Sequence, residues 1–162
     1  MKFNSIMHVS FYAKDLEKIR EFYEDKLGCK AKMLVRNYAY KDKPEHGFYK
    51  QAISDPNGIT LVYFEVAPGQ FIEFFPARED QEPAVECNKH VGYAHFSLTV
   101  DDIHKTRDEL VEKGITVDIE PNIGNSHTWQ MWIQDPEGNR IEVMQYTDQS
   151  YQIVGNIDPV LD

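Results

Sequence analysis

The sequence predicts an α+β fold of two tandem βαβββ modules with curled mixed sheets. Three observations predict it: a degenerate internal duplication, an order of strand, helix and three strands read twice, and a matched histidine and glutamate in each copy. The stretch "HVSFYAKDLEKIREFYEDKLG" from His8 aligns with "HFSLTVDDIHKTRDELVEKG" from His95. His8 to Asp15 and His95 to Asp102 each span seven residues, and the distances on to Gly28 and Gly114 are 20 and 19. Each copy closes on a glycine with a glutamate four residues later inside an apolar run, "GQFIEFF" (69–75) and "GNRIEVM" (138–144). His8 lies 65 residues before Glu73 and His95 lies 47 before Glu142, which places a surplus of 18 in the first copy, around "RNYAYKDKPEHGFYKQ". Internal repeats of this kind set the fold before any local feature does.

The elements follow in order. Residues 6–12 alternate, with Met7, Val9 and Phe11 on the face expected under the helix and His8, Ser10 and Tyr12 on the other; a period of two with aromatic and branched residues is the mark of a strand. Leu16, Ile19, Phe22, Tyr23 and Leu27 then recur at helical spacing, with Asp15 as N-cap and Gly28 as stop. Strands at 31–36, 59–66 and 70–75 complete the first module, residues 5–76. A polar, acidic linker covers 77–91, and the second module covers 92–147. There His95 stands opposite Ala94, Phe96 and Leu98, and Ile103, Leu110 and Val111 mark a helix capped by Asp101 or Asp102 and stopped by Gly114. Strands are expected at 116–120, 128–134 and 140–146. "DPNG" (55–58), "APGQ" (67–70) and "DPEG" (135–138) carry turn chemistry, since Pro sets one dihedral and Gly admits positive φ. The tail, 148–162, shows no period, although Tyr151, Ile153 and Val154 could pack onto something. The whole chain, 1–162, reads as one domain of two modules.

Composition removes several function classes. With 162 residues, 41% hydrophobic and 12% aromatic, the chain can bury a core. A formal net charge of -10 and a pI near 5.0 repel a phosphate backbone, so nucleic-acid binding is not expected. Cys29 and Cys87 form no CxxC pair and are read as inert. The N-terminal stretch lacks the apolar core of a signal peptide, and no apolar run approaches the roughly 18 residues that span a bilayer. A soluble, cytoplasmic protein without membrane or nucleic-acid partners is therefore expected.

By alternation, Glu73 shares a face with Phe71 and Phe75, and Glu142 with Arg140, Met144 and Tyr146. A carboxylate in such a run costs several kcal/mol unless its charge is compensated. Each copy thus turns one histidine and one glutamate away from the helix-covered face, and two facing sheets would gather His8, Glu73, His95 and Glu142. Imidazole nitrogens with carboxylate oxygens suit Zn, Ni, Co, Mn or Fe(II). Taken singly, a strand histidine is usually structural and a strand glutamate is usually solvated or paired with a base such as Arg140 or Lys50; the matched set of four favours the metal. Glu65 is the rival to Glu73 but has no counterpart in the repeat. His46, His90 and His104 read as surface residues. His127 is a candidate proton relay or substrate contact, while Tyr12, Ser97, Thr99 and one of Trp129 and Trp132 are candidate cleft residues.

The stretches "MHVSFYAKDLEKIREFYEDKLG", "FIEFF", "AHFSLTVDDI" and above all "DPEGNRIEVMQY" resemble the vicinal oxygen chelate superfamily of glyoxalase I, methylmalonyl-CoA epimerase, bleomycin-resistance proteins and extradiol dioxygenases. The resemblance covers about residues 5–147. It implies paired βαβββ modules around a metal cleft, with ligands at His8, Glu73, His95 and Glu142 and one divalent ion per cleft, Zn, Ni, Co or Mn ahead of Fe(II). His-Glu-His-Glu is the pattern of glyoxalase-type lyases, and epimerases usually carry Gln at the position of Glu73. Such an ion acidifies a C–H between vicinal oxygens and stabilises the enediolate, and by resemblance Glu73 or Glu142, with Glu142 preferred, acts as the catalytic base. Where glutathione-dependent glyoxalases carry Arg four residues after the first histidine, this chain has Tyr12, which points to another thiol, a sugar or an oxo acid. The expected activity is thus a metal-dependent glyoxalase I-like lyase or isomerase acting on a small molecule with vicinal oxygens. The alternatives are an Fe(II) ring-cleaving dioxygenase, which would consume oxygen, and a metal-free sequestering protein of the bleomycin-resistance type. A homodimer is the family's expectation; the linker leaves open whether a cleft forms within one chain or across two.

Overall fold

The computed structural model describes residues 4–82, 85, 89 and 91–157, and the chain divides into two compact units, 1–83 and 84–162. In the first unit, β1 (His8–Ala13) leads into α1 (Leu16–Arg20) and a π-helical turn, Glu21–Lys26. β2 (Lys30–Arg36), a 3₁₀ turn (Asn37–Tyr40), α2 (Tyr49–Ser54), β3 (Ile59–Ala67) and β4 (Gln70–Pro76) follow. The second unit repeats the order without the insertion: β5 (Phe96–Thr99), α3 (Ile103–Glu112), β6 (Ile119–Ile123), β7 (Trp129–Gln134) and β8 (Arg140–Gln145), then a short α4 (Tyr151–Val154). Each unit forms an open four-stranded mixed sheet, in the orders β1-β4-β3-β2 and β5-β8-β7-β6, with the first and last strands parallel. The expected α+β pair of βαβββ modules is the observed fold.

Both helices start where the sequence places them. The Asp15 carboxylate accepts from the Lys18 amide at 3.1 Å and the Asp102 carboxylate from the Lys105 amide at 2.9 Å, each satisfying an orphan donor of a first turn. Gly28 and Gly114 end the helical stretches at φ of +71 and +73, a conformation that strains a side chain with a Cβ. The first copy has one residue more than the second between these signals, and the π-helical turn absorbs it. There the Leu27 amide reaches back five residues to the Phe22 carbonyl at 2.9 Å. Phe22 and Tyr23 are both buried in this turn, their rings 5.2 Å apart.

Tyr23 stacks on Phe64 at 5.4 Å and meets Phe74 at 5.3 Å, and Ile19, Val62 and Ile72 are fully buried with them. In the second unit Ile103, Leu110, Met131, Ile133, Ile141 and Val143 form the matching core. Ile72 and Phe74 flank Glu73, and Ile141 and Val143 flank Glu142, so strand alternation turns both glutamates to the opposite face. Two local expectations are corrected. Met7 is 53% exposed because β1 begins only at His8, and the strand expected at 116–120 runs instead over Ile119–Ile123, since Ile115 completes the core beside α3. Most of the 18-residue surplus lies between β2 and β3, where residues 37–58 carry the extra helices and residues 124–128 suffice in the second copy.

The "DPEGN" turn before β8 is held by more than its Pro and Gly. The buried Asp135 carboxylate accepts from the amides of Glu137 at 3.0 Å and Asn139 at 2.9 Å, and from the Asn139 side chain at 2.9 Å. This network starts β8 at one defined residue and so fixes which face receives Glu142. The tail also has a partner: the Tyr151 amide donates to the Ser126 carbonyl at 2.9 Å and the Thr128 hydroxyl to Gln152 at 2.8 Å, while Ile153 and Val154 stay exposed. Loss of the buried charge-assisted bonds in Asp135→Ala is expected to lower unfolding free energy by about 2–4 kcal/mol, read from urea denaturation; a loss below about 0.5 kcal/mol would remove this role.

Candidate metal centre

Adjacent strands set the surroundings of each glutamate. In the first unit Ser10 of β1 and Tyr63 of β3 stand in register with Glu73 of β4, one on either side. The Ser10 hydroxyl donates to Glu73 Oε2, and His8, two residues before Ser10 on the same face, brings its Nε2 to 3.6 Å from that oxygen. The Tyr63 ring meets the His8 ring edge-on at 5.4 Å. Burial first, then the hydrogen bond to Glu73 and its negative charge, push the Tyr63 hydroxyl up to about 12. Glu73 itself is only 5% exposed.

The second unit repeats the arrangement. Ser97 and Trp132 stand in register with Glu142. The Ser97 hydroxyl donates to Glu142 Oε2 at 2.7 Å, His95 Nε2 lies 3.4 Å from the same oxygen, and the Trp132 ring meets the His95 ring at 4.7 Å. The Arg140 guanidinium sits 4.2 Å above the Trp132 ring. Each copy thus provides an imidazole, a serine, a carboxylate and an aromatic ring in the same relation. The copies differ at the last position, where Tyr63 hydrogen-bonds its glutamate and Trp132 is paired with an arginine.

The structure brings His8 to Glu73 and His95 to Glu142, and among the described residues it gathers no group of three or more His, Cys, Asp or Glu side chains. The donor chemistry of each pair fits a divalent cation. Zinc binds imidazole nitrogen and carboxylate oxygen at about 2.0–2.2 Å, so two such donors at a tetrahedral angle stand about 3.4 Å apart. The observed 3.6 and 3.4 Å separations match this without rearrangement. A largely buried carboxylate also calls for a compensating charge, which the serine hydroxyl beside it does not supply.

The remaining candidates fall into place around the pairs. Glu65 is taken up by Lys32 at 2.7 Å and by the Gly69 amide at 3.3 Å, the Lys32 bond holding its carboxyl below the usual range. Trp132 lines the glutamate face, whereas Trp129 lies on the other face against His104 at 4.9 Å. Tyr12 shares the His8 face and receives the Arg78 guanidinium on its hydroxyl at 3.3 Å. Thr99 stands in register with Met144. His127 adopts φ of +56, its carbonyl accepting from Thr147 at 2.7 Å and its ring lying 5.0 Å from Tyr151, so its contacts are with the tail. Burial pushes the Cys29 thiol up to about 11, in keeping with an inert residue. Cys87 and His90 lie outside the described residues. Ser10 and Tyr63 escaped the sequence reading as partners of Glu73, although "HVS" and "HFS" at the head of the two copies carry the serine signal.

Comparison with known proteins gives these pairs a context. The family model for the Glyoxalase/Bleomycin resistance protein/Dioxygenase superfamily matches residues 5–143. A protein of Vibrio cholerae named "Probable lactoylglutathione lyase" is 28% identical over 146 residues, 90% of this chain and 93% of that one. Among solved structures, a glyoxalase family protein from Enterococcus faecalis superposes with a TM-score of 0.66 at 23% identity, over 89% of this chain and 99% of that one. A lactoylglutathione lyase from Agrobacterium tumefaciens gives 0.60 at 21% identity, over 90% and 96%. At these identities the structural matches speak to the fold alone.

Proposed function

Because the chain belongs to the glyoxalase/bleomycin resistance protein/dioxygenase superfamily, we propose that its two His–Glu pairs hold one divalent metal ion and serve a lyase or isomerase reaction that moves a proton beside a carbonyl. The observation that carries this reading is the repetition of the whole histidine–serine–glutamate arrangement, with Nε2 to Oε2 separations of 3.6 and 3.4 Å. His8, Glu73, His95 and Glu142 would hold the ion, Zn, Ni, Co or Mn by donor type, and two carboxylates leave the site neutral. When bound, such a cation acidifies a C–H next to a carbonyl oxygen. The substrate is a small molecule with vicinal oxygens, and a cytoplasmic homodimer goes with this reading. The name of the Vibrio cholerae relative supports lyase chemistry. The four retained donors speak against a metal-free sequestering protein.

The two glutamates divide the remaining work. Glu73 accepts from the Ser10 hydroxyl, has Tyr63 in register beside it and is almost fully buried, so little of it is open to a substrate. Glu142 takes one serine bond, faces Trp132 where the first copy has a tyrosine, and keeps 12% of its side chain exposed. Glu142 is therefore the freer base, taking and returning the substrate proton, and Glu73 the anchor. Tyr12 stands where a glutathione-binding arginine would be expected, which favours a substrate other than a glutathione adduct.

Two experiments test this. With a methylglyoxal hemithioacetal as probe, Glu142→Gln is expected to slow solvent-deuterium incorporation about 10²–10⁴-fold, the usual worth of a general base. Undiminished exchange in both Glu142→Gln and Glu73→Gln would remove the mechanism. Ser10→Ala and Ser97→Ala should each weaken metal binding about 10–100-fold in competition with a chromophoric chelator, as expected for groups that orient a ligand. Unchanged affinity in both would leave the serines a purely structural part.

A further inference from the structure

The insertion between β2 and β3 carries an ordered set of aromatic rings. Phe75 follows Glu73 by two residues on β4 and so shares its face, about 7 Å further along the strand. Tyr12, in register with Phe75, places its ring 5.6 Å away. From the insertion, Phe48 stacks over Phe75 at 6.1 Å and 23°, and behind it His46 and Tyr40 stack at 4.3 Å, Tyr40 meeting Phe48 at 5.4 Å. Cations rim the cluster: Lys43 lies 5.3 Å from the Tyr40 ring centre, and Arg78 lies 5.6 Å from that of Tyr12. The cluster is not closed off, since Tyr12 is 47% exposed and Phe48 and Phe75 are half-buried.

The second copy has nothing equivalent. Thr99 and Met144 occupy the positions matched to Tyr12 and Phe75, and the connection that carries Phe48 in the first copy is reduced to residues 124–128. The rings are thus an addition to one half of a duplicated frame and no requirement of the frame itself. The folding core of this unit lies on the other, helix-covered face, around Tyr23, Phe64 and Phe74. Rings at 4–6 Å in tilted and stacked orientations present faces and edges that attract a further planar ring more than an aliphatic chain.

We propose that Tyr12, Phe48 and Phe75 form a subsite for a flat, aromatic or conjugated group of the substrate, placed one or two bonds from the carbon whose proton Glu73 and Glu142 handle. The position relative to the reacting carbon rests on the proposed function, whereas ring binding itself needs no metal. The occupant is a small molecule, because Tyr12 and Phe75 run on from Glu73 along one strand face. Lys43 lies over Tyr40, behind Phe48, and Arg78 lies over Tyr12 itself.

The test compares phenylacetate, cyclohexylacetate and acetate on the full-length chain, with and without EDTA, following the ring resonances of Phe48 and Phe75 by protein-observed NMR. Phenylacetate is expected to bind about tenfold tighter than either of the others, a preference lost in Phe48→Ala and retained in Phe48→Tyr. Equal binding of phenylacetate and cyclohexylacetate would overturn the planar-ring assignment, and an unchanged preference in Phe48→Ala would overturn the role of the insertion. Because the EDTA arm needs no metal, a ring preference there with no deuterium exchange in the lyase assay would leave the subsite standing and remove the reaction. Intact exchange without a ring preference would remove the subsite alone.

Discussion

A carboxylate sits at a strand position that its neighbours would make apolar, and the rest of the structure is arranged to keep it there. Glu73 lies between Ile72 and Phe74, both buried, and Glu142 between Ile141 and Val143, buried likewise. Leaving such a charge without partners costs several kcal/mol, a sizeable part of the stability of a small domain. Both copies meet the cost in the same manner. The parallel first strand brings a serine in register with the glutamate, and the histidine two residues earlier in the chain lies within 3.6 Å of the same oxygen. The β1–β4 and β5–β8 pairings are thus the frame of each site, and the helices, caps and turns hold that frame in register.

Most of this frame is legible in the sequence, and for physical reasons. A strand period of two assigns faces without further information, so His8 and Glu73, or His95 and Glu142, can be placed together once β1 and β5 are paired with the last strands. The duplication supplies the pairing, because two copies with the same spacings leave little room for other alignments. Asp15 and Asp102 read as N-caps because capping is local, and they cap. What stayed hidden depends on contacts distant in sequence. The hydrogen bond of Ser10 to Glu73 crosses 63 positions, and Tyr63 reveals its role only once β3 is in register with β4. The π-helical turn leaves only a one-residue difference in spacing, because Ile19, Phe22 and Tyr23 also fit the i, i+3, i+4 face of an ordinary α-helix. The Asp135 network is hidden in a turn whose Pro and Gly already explain its shape.

The two halves have kept the same frame and changed its trimmings. In the first, a tyrosine hydrogen-bonds the glutamate and an aromatic cluster from the insertion extends the same strand face. In the second, a tryptophan under an arginine replaces the tyrosine, and the connection is short. In the proposed reaction Glu73 would take the holding part and Glu142 the proton-transfer part, with the ring cluster beside Glu73 as the proposed source of selectivity.

The central claim is that the two pairs share one ion. Zinc titration by calorimetry, with metal content measured by mass spectrometry on tag-free protein, tests it most directly when wild type is set beside His8→Ala and His95→Ala. The account predicts one ion per chain in the wild type, and none held tightly by either variant. Two independent ions per chain, each lost only with its own histidine, or no bound ion at all, would contradict it.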